Sequence, residues 1–183
     1  MTENVIDLLT TDHREVTDLV DQLLATSDAQ KRRELADTII GELVRHSVAE
    51  ETIVYPMMAA HLPNGTEAVE HDTQEHKQLE TIMKRMEDAK VGDPGFLDLV
   101  SDLQAVLADH VSDEEKDQFP QLRQHVPAEQ LEAMALQVEG LKKVAPTRPH
   151  PNAPNNALFH LTVGPGVGMI DRMRDLLSTK TSV

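Results

Sequence analysis

The sequence predicts an all-α protein: an up-down-up-down four-helix bundle with an additional C-terminal helix and a Pro/Asn-rich strap. Three observations carry this. Across the first 145 residues apolar side chains recur at three- and four-residue spacing. Gly and Pro interrupt that pattern at only a few points. After Val144 the composition turns to APTRPHPNAPNN, a stretch too rich in proline to be helical. Four amphipathic stretches joined by short breaks bury their stripes most simply against one another.

The first helix is expected from about Asn4 to Leu24, with Leu9, Val16, Val20 and Leu23 on its apolar stripe. The second starts near Ser27, where Ser27 and Gln30 have the spacing of a capping box. Its stripe is Leu35, Ile39, Leu43, Ile53 and Met57, and it ends around Tyr55–Pro56 or soon after. Pro63–Asn64–Gly65 makes a turn, and the third helix runs from about Thr66 to Lys90 with Leu79, Met83 and Met86 inward. Gly92–Asp93–Pro94 reads as a break, with Asp93 as N-cap and Pro94 as the first helical residue. The fourth helix carries Phe96, Val100, Leu103 and Leu107 and ends near Phe119–Pro120. The bundle thus occupies residues 1–126. A further helix lies within 127–145, and 146–183 hold the strap and a short last helix from about Val167 to Leu177.

Composition excludes several chemistries. With no Cys there are no disulfides, thiolate zinc sites, iron–sulfur clusters or cysteine nucleophiles. Lys and Arg number 17 against 32 Asp and Glu, a net charge of −15, so phosphate backbones are poor partners and no nucleic acid is expected. The start, MTENVIDLLTTDHREV, lacks the basic and apolar regions of a signal peptide. No apolar run is long enough to span a membrane. A cytoplasmic location is expected. Residues 146–183 carry a net +2, which leaves −17 on the rest, so the tail could fold back on the bundle or stay solvated. The unusual supply is nine histidines.

Four of those histidines sit in an internal repeat with an offset of 63–64 residues. Asp12-His13-Arg14-Glu15-Val16 on the first helix corresponds to Glu75-His76-Lys77-Gln78-Leu79 on the third. His46…Glu50-Glu51…Tyr55-Pro56 on the second corresponds to His110…Glu114-Glu115…Phe119-Pro120 on the fourth. Each copy is a helical hairpin bearing a lone His and then an HxxxE. His and Glu four apart share one helix face, and here that face continues the apolar stripe. Six ionisable side chains therefore enter one core. Buried carboxylates cost several kcal/mol each unless they are paired or coordinate a metal. Neutral imidazole and carboxylate are ligands of metals such as iron, and manganese accepts them as well.

This pattern resembles the hemerythrin-like proteins of the HHE cation-binding family. That family's H…HxxxE…H…HxxxE matches His13, His46, Glu50, His76, His110 and Glu114, over about residues 5–125. The resemblance implies a hemerythrin-like bundle holding two iron ions as a non-heme, oxo-bridged di-iron centre. With both carboxylates bridging, each iron would keep one open position, which suits O2 or hydrogen peroxide. Ferritin-like di-iron proteins use Glu-x-x-His instead, and no His here has a Glu three residues before it.

Oxygen-carrying members have a fifth His four residues from another on the third helix. The residue in that place is Asp72, a departure that speaks against simple reversible O2 carriage. Candidate additional ligands are Tyr55, His71 and Asp72. Tyr55 would project opposite His46 unless the helix deforms before Pro56, which disfavours regular helix at Tyr55, and it otherwise suits packing, as does its repeat-mate Phe119. His71 falls on the surface, and Asp72 is placed to orient a His ligand. Glu51 and Glu115, rotated about 100° from the ligand glutamates, read as solvated or salt-bridged. His61, His125, His150 and His160 read as surface or capping residues. The expected function is binding and catalase-like turnover of peroxide or O2. The alternative is a non-catalytic oxygen, redox or iron sensor, or an iron store, with a protein partner.

Overall fold

The computed structural model describes residues 4–152, 167–169 and 171. Among them there is no strand. Helix α1 spans Val5–Ala25 and is capped by the Asn4 side chain, which accepts from the Ile6 and Asp7 amides. Helix α2 spans Ala29–Ala49. Its cap is Asp28, which accepts from the Lys31 amide at 2.8 Å, rather than Ser27. The helix starts one residue later than the Ser27–Gln30 spacing implies, with a carboxylate capping the next amide along in place of a hydroxyl. Gln30 bonds Glu34 instead.

The second rod does not stop at Tyr55–Pro56. It passes through a five-residue π turn, Glu50–Val54, into α3, Tyr55–His61. Helix α4, Gly65–Asp88, comes after a tight turn. A Cβ on Gly65 would lie 2.0 Å from the Met58 carbonyl oxygen, so the turn closes only around glycine. Helix α5, Phe96–Asp113, starts two residues later than Pro94. Asp93 is used in a turn, its carbonyl accepting from the Phe96 amide, so it does not cap the helix. A second π turn, Glu114–Gln118, leads into α6, Phe119–His125, and α7 spans Ala128–Lys142. Residues 143–152 are non-helical, and 167–169 and 171 are helical. The rest of the expected last helix, with His160, lies outside the described residues.

Helix α1 packs on α2 and α5, and α4 packs on α5 and α2, closing the four-rod bundle. Two apolar clusters fill it. One joins Val16, Val20 and Leu23 to Ile39, Leu43, Met83, Met86 and Phe96. The other joins Val5 and Leu9 to Val54, Met58, Phe119 and Leu122, and takes in Leu131, Met134 and Val138 of α7. Burial stabilises each such side chain by about 1.5–3 kcal/mol. Every rod leaves one cluster for the other through the same level, and that level is polar.

Candidate metal centre

Along α1 the inward positions run Leu9, His13, Val16, so the stripe that builds the core also delivers His13 between the two clusters. The same logic places His46, His76 and His110 at that level. Glu50 and Glu114 open the two π turns one helical turn beyond His46 and His110. All six are at most 3% exposed. Their donor atoms form two overlapping groups: His13, His46, Glu50 and Glu114, and then Glu50, His76 and His110.

The imidazoles meet in pairs by their Nε2 atoms, His13 to His46 at 3.1 Å and His76 to His110 at 3.3 Å. Glu50 lies between the pairs, 3.0 Å from His46 Nε2 and 3.3 Å from His76 Nε2. Glu114 does the same, 3.2 Å from His13 Nε2 and 3.6 Å from His110 Nε2. Yet all four carboxylate oxygens are buried and none is engaged in a hydrogen bond. Such orphaned acceptors are rare in folded proteins. Ligands about 2.0–2.2 Å from one ion stand roughly 3.0–3.5 Å apart, depending on the angle. The donor set fits metal ions better than it fits itself.

The opposite ring nitrogen of every histidine is held by a carboxylate. His13 Nδ1 lies 2.9 Å from Glu115, and His76 Nδ1 lies 2.9 Å from Glu51. His46 Nδ1 lies 3.2 Å from Asp12, and His110 Nδ1 lies 3.1 Å from Glu75. A carboxylate only accepts, so each Nδ1–H donates and Nε2 faces the centre. These partners obey the repeat. Glu51 and Glu115 reach across to the other hairpin, while Asp12 and Glu75 serve their own. Glu51 and Glu115 are salt-bridged, as the sequence suggested, but to the histidines themselves. The roles of Asp12 and Glu75 were missed. The available signal was adjacency, since each partner is next in sequence to a site residue.

This concentration of carboxylates controls the local charge. Burial pushes the His46 imidazole down, but Glu50 and Asp12 overrule it and lift it to about 10. Burial likewise opposes charge on His76, and Glu50 and Glu51 still raise it well above the ordinary histidine value. Burial pushes Glu50 up, and His46 and His76 hold it well below the usual carboxylate range. The centre attracts positive charge, which a proton or a metal cation supplies.

Both π turns precede a proline, Pro56 or Pro120, which has no amide hydrogen to continue the ladder. The amide of Tyr55 donates to Glu50 and that of Phe119 to Glu114, five residues back. The extra residue rotates the remainder of each rod by about 100°. Tyr55 therefore does not project opposite His46. It is buried and its Oη lies 3.0 Å from His76 Nε2. Asp72 is buried too. Its Oδ1 accepts from Gln118 at 3.0 Å, while Oδ2 has no partner, and Glu75 rather than Asp72 holds a His ring. Burial first, and Glu114 and Glu50 after it, lift the Asp72 carboxyl to about 6 against the Gln118 bond. His71 is on the surface, its side chain 56% exposed.

The description "Hemerythrin HHE cation binding domain" matches residues 4–122 of this chain. The chain belongs to the hemerythrin HHE family. A hemerythrin-like protein of Schizosaccharomyces pombe, itself uncharacterized, is 30% identical over 94% of this chain and 86% of its own. A Nostoc protein named as a DNA nickase is 28% identical over 76% of this chain, and the match spans 39% of that longer protein. The crystal structure of an HHE cation binding domain-containing protein from Mycobacterium kansasii shares the fold, with a TM-score of 0.68 at 21% identity. It covers 77% of this chain and 86% of that one. This HHE protein is a metal-binding protein, and its His/Glu clusters fit a metal site.

Proposed function

We propose that this chain is a non-heme di-iron protein that binds O2 or hydrogen peroxide and turns peroxide over in a catalase-like manner. The observation that supports it best is the set of four buried, unbonded oxygens of Glu50 and Glu114, ringed by four Nε2 atoms. His13 and His46 would hold one iron and His76 and His110 the other, with Glu50 and Glu114 shared between them. When bound, adjacent irons supply the electrons that a two-atom substrate takes up or gives back.

The chain's own residues do the rest. Asp12, Glu51, Glu75 and Glu115 fix each ring with Nε2 inward. The apolar clusters above and below exclude bulk water. Tyr55 Oη and Asp72 stand on the His76–His110 side alone and are the groups placed to hold or pass a proton there.

Addition of hydrogen peroxide to iron-loaded protein tests this reading. Release of O2, lost in Glu50→Ala, is the expected result, together with two irons per chain. No release from wild type overturns the catalytic reading and leaves an oxygen, redox or iron sensor or store. Charge speaks against DNA as a partner despite the nickase relative, since the net −15 opposes a phosphate backbone.

A further inference from the structure

A further HxxxE, on α4, is not part of the repeated pair. His71 and Glu75 are one turn apart on α4, at the rim of the bundle, and Asp113 closes the same spot from the end of α5. His71 Nε2 is 3.4 Å from Glu75 Oε1 and 3.4 Å from Asp113 Oδ2. The donor atoms of the three residues lie within 4.8 Å of one another. These are the separations seen around the buried centre, and the residue types are those that take divalent metals such as Fe2+ and Mn2+. His71 and Asp113 are exposed, while Glu75 is 7% exposed.

Glu75 faces both ways. Its Oε1 points to His71, and its Oε2 lies 3.1 Å from His110 Nδ1. Behind it stands Asp72, fully buried, whose Oδ2 has no hydrogen-bond partner and whose donor atoms group with those of Glu75 and His110. An unpartnered buried carboxylate costs free energy without a ligand, and here it lies between a surface donor set and a buried one.

We propose that His71, Glu75 and Asp113 form an outer divalent-metal site that captures Fe2+ and passes it inward past Asp72 to the buried centre. The capture site stands on its own geometry, and the inward step rests on the metal centre proposed above. The ion moves without change of oxidation state, trading His71 and Asp113 for Asp72 and then for the inner histidines.

Two measurements on the full chain test this, using Mn2+ as the first probe. Protein whose buried centre is already loaded is titrated with Mn2+, and the free ion is followed by electron paramagnetic resonance. Wild type is expected to bind a further Mn2+ per chain. His71→Gln and Asp113→Asn, both surface changes checked for unaltered helix content, are expected to bind it about tenfold more weakly or worse. Metal-free protein is then given Fe2+ without oxygen, and bound iron is measured at timed intervals after desalting. The variants are expected to fill about tenfold more slowly to the wild-type final content. No further Mn2+ on wild type, or equal binding by the variants, overturns the site, and equal filling rates overturn the inward step. A wild type whose interior never takes up iron, yet which binds one Mn2+ that His71→Gln and Asp113→Asn weaken, supports the outer site and instead overturns the buried centre.

Discussion

Tyr55 Oη lies 3.0 Å from His76 Nε2, whereas Phe119, its counterpart in the other repeat, lies flat against His13 with ring centroids 5.9 Å apart and planes 5° from parallel. One hydroxyl thus makes two otherwise matching halves of the centre chemically different. In Tyr55→Phe the fold is expected to survive, with a loss of about 0.5–1.5 kcal/mol for one buried hydrogen bond. Iron-loaded wild type is expected to show a visible phenolate-to-iron absorption band that the variant lacks. Identical spectra would show that Tyr55 is not an iron ligand and leave its hydroxyl only the proton-holding role beside His76.

The carboxylates on Nδ1 are positioning groups. Asp12→Asn and Glu115→Gln are expected to bind metal about 10–100-fold more weakly at unchanged helix content. Competition against a coloured chelator measures this. Asp12 also takes a 2.6 Å contact from Lys142 of α7. Lys142→Met is therefore expected to weaken metal binding less than Asp12→Asn, because it removes only the partner of the partner. A larger effect from Lys142 would assign α7 a direct part in the site.

Metal removal is expected to lower the melting temperature. A ligand held at about 100 times its Kd stabilises the native state by roughly 2.7 kcal/mol. For a chain of this size that is roughly 5–10 °C. Thermal melts with and without a chelator read the shift directly. His110→Gln is expected to melt near the chelated wild type and to respond less to the chelator. A wild type indifferent to chelation would contradict a buried metal.

The strap is held by a pH-sensitive pair. His150 Nε2 lies 3.1 Å from Asp171 Oδ2, and Glu80 and Glu87 of α4 face the same imidazole. The Asp171 bond is the main cause that raises the His150 pKa above 6.5, against partial burial. The contribution to stability is therefore present below the ordinary histidine value and lost as pH rises through the raised one. The His150 ring resonance is expected to titrate above 6.5 in wild type and closer to it in Asp171→Asn. An unchanged titration would show that Asp171 does not hold the ring.

Much of this site is legible in the sequence. The periodic stripes place the rods, and the repeat picks out His13, His46, Glu50, His76, His110 and Glu114 because an i,i+4 relation is a property of one helix alone. The start of α2 was displaced by one residue, since Ser27 and Asp28 are both good cap residues, each for the amide three residues on. The aim of Tyr55 hung on whether the helix deforms before Pro56. A regular helix turns by about 100° per residue, and the π turn before Pro56 inserts one residue that no hydrophobic period reveals.

Local spacing thus determines which side chains face the core and which of them share a turn. The tertiary structure decides which face meets which. That Glu115 of the fourth rod holds His13 of the first, and Glu51 of the second holds His76 of the third, depends on the register between rods. Register is settled by the sum of many small packing contacts in the two apolar clusters, and no single segment carries that sum.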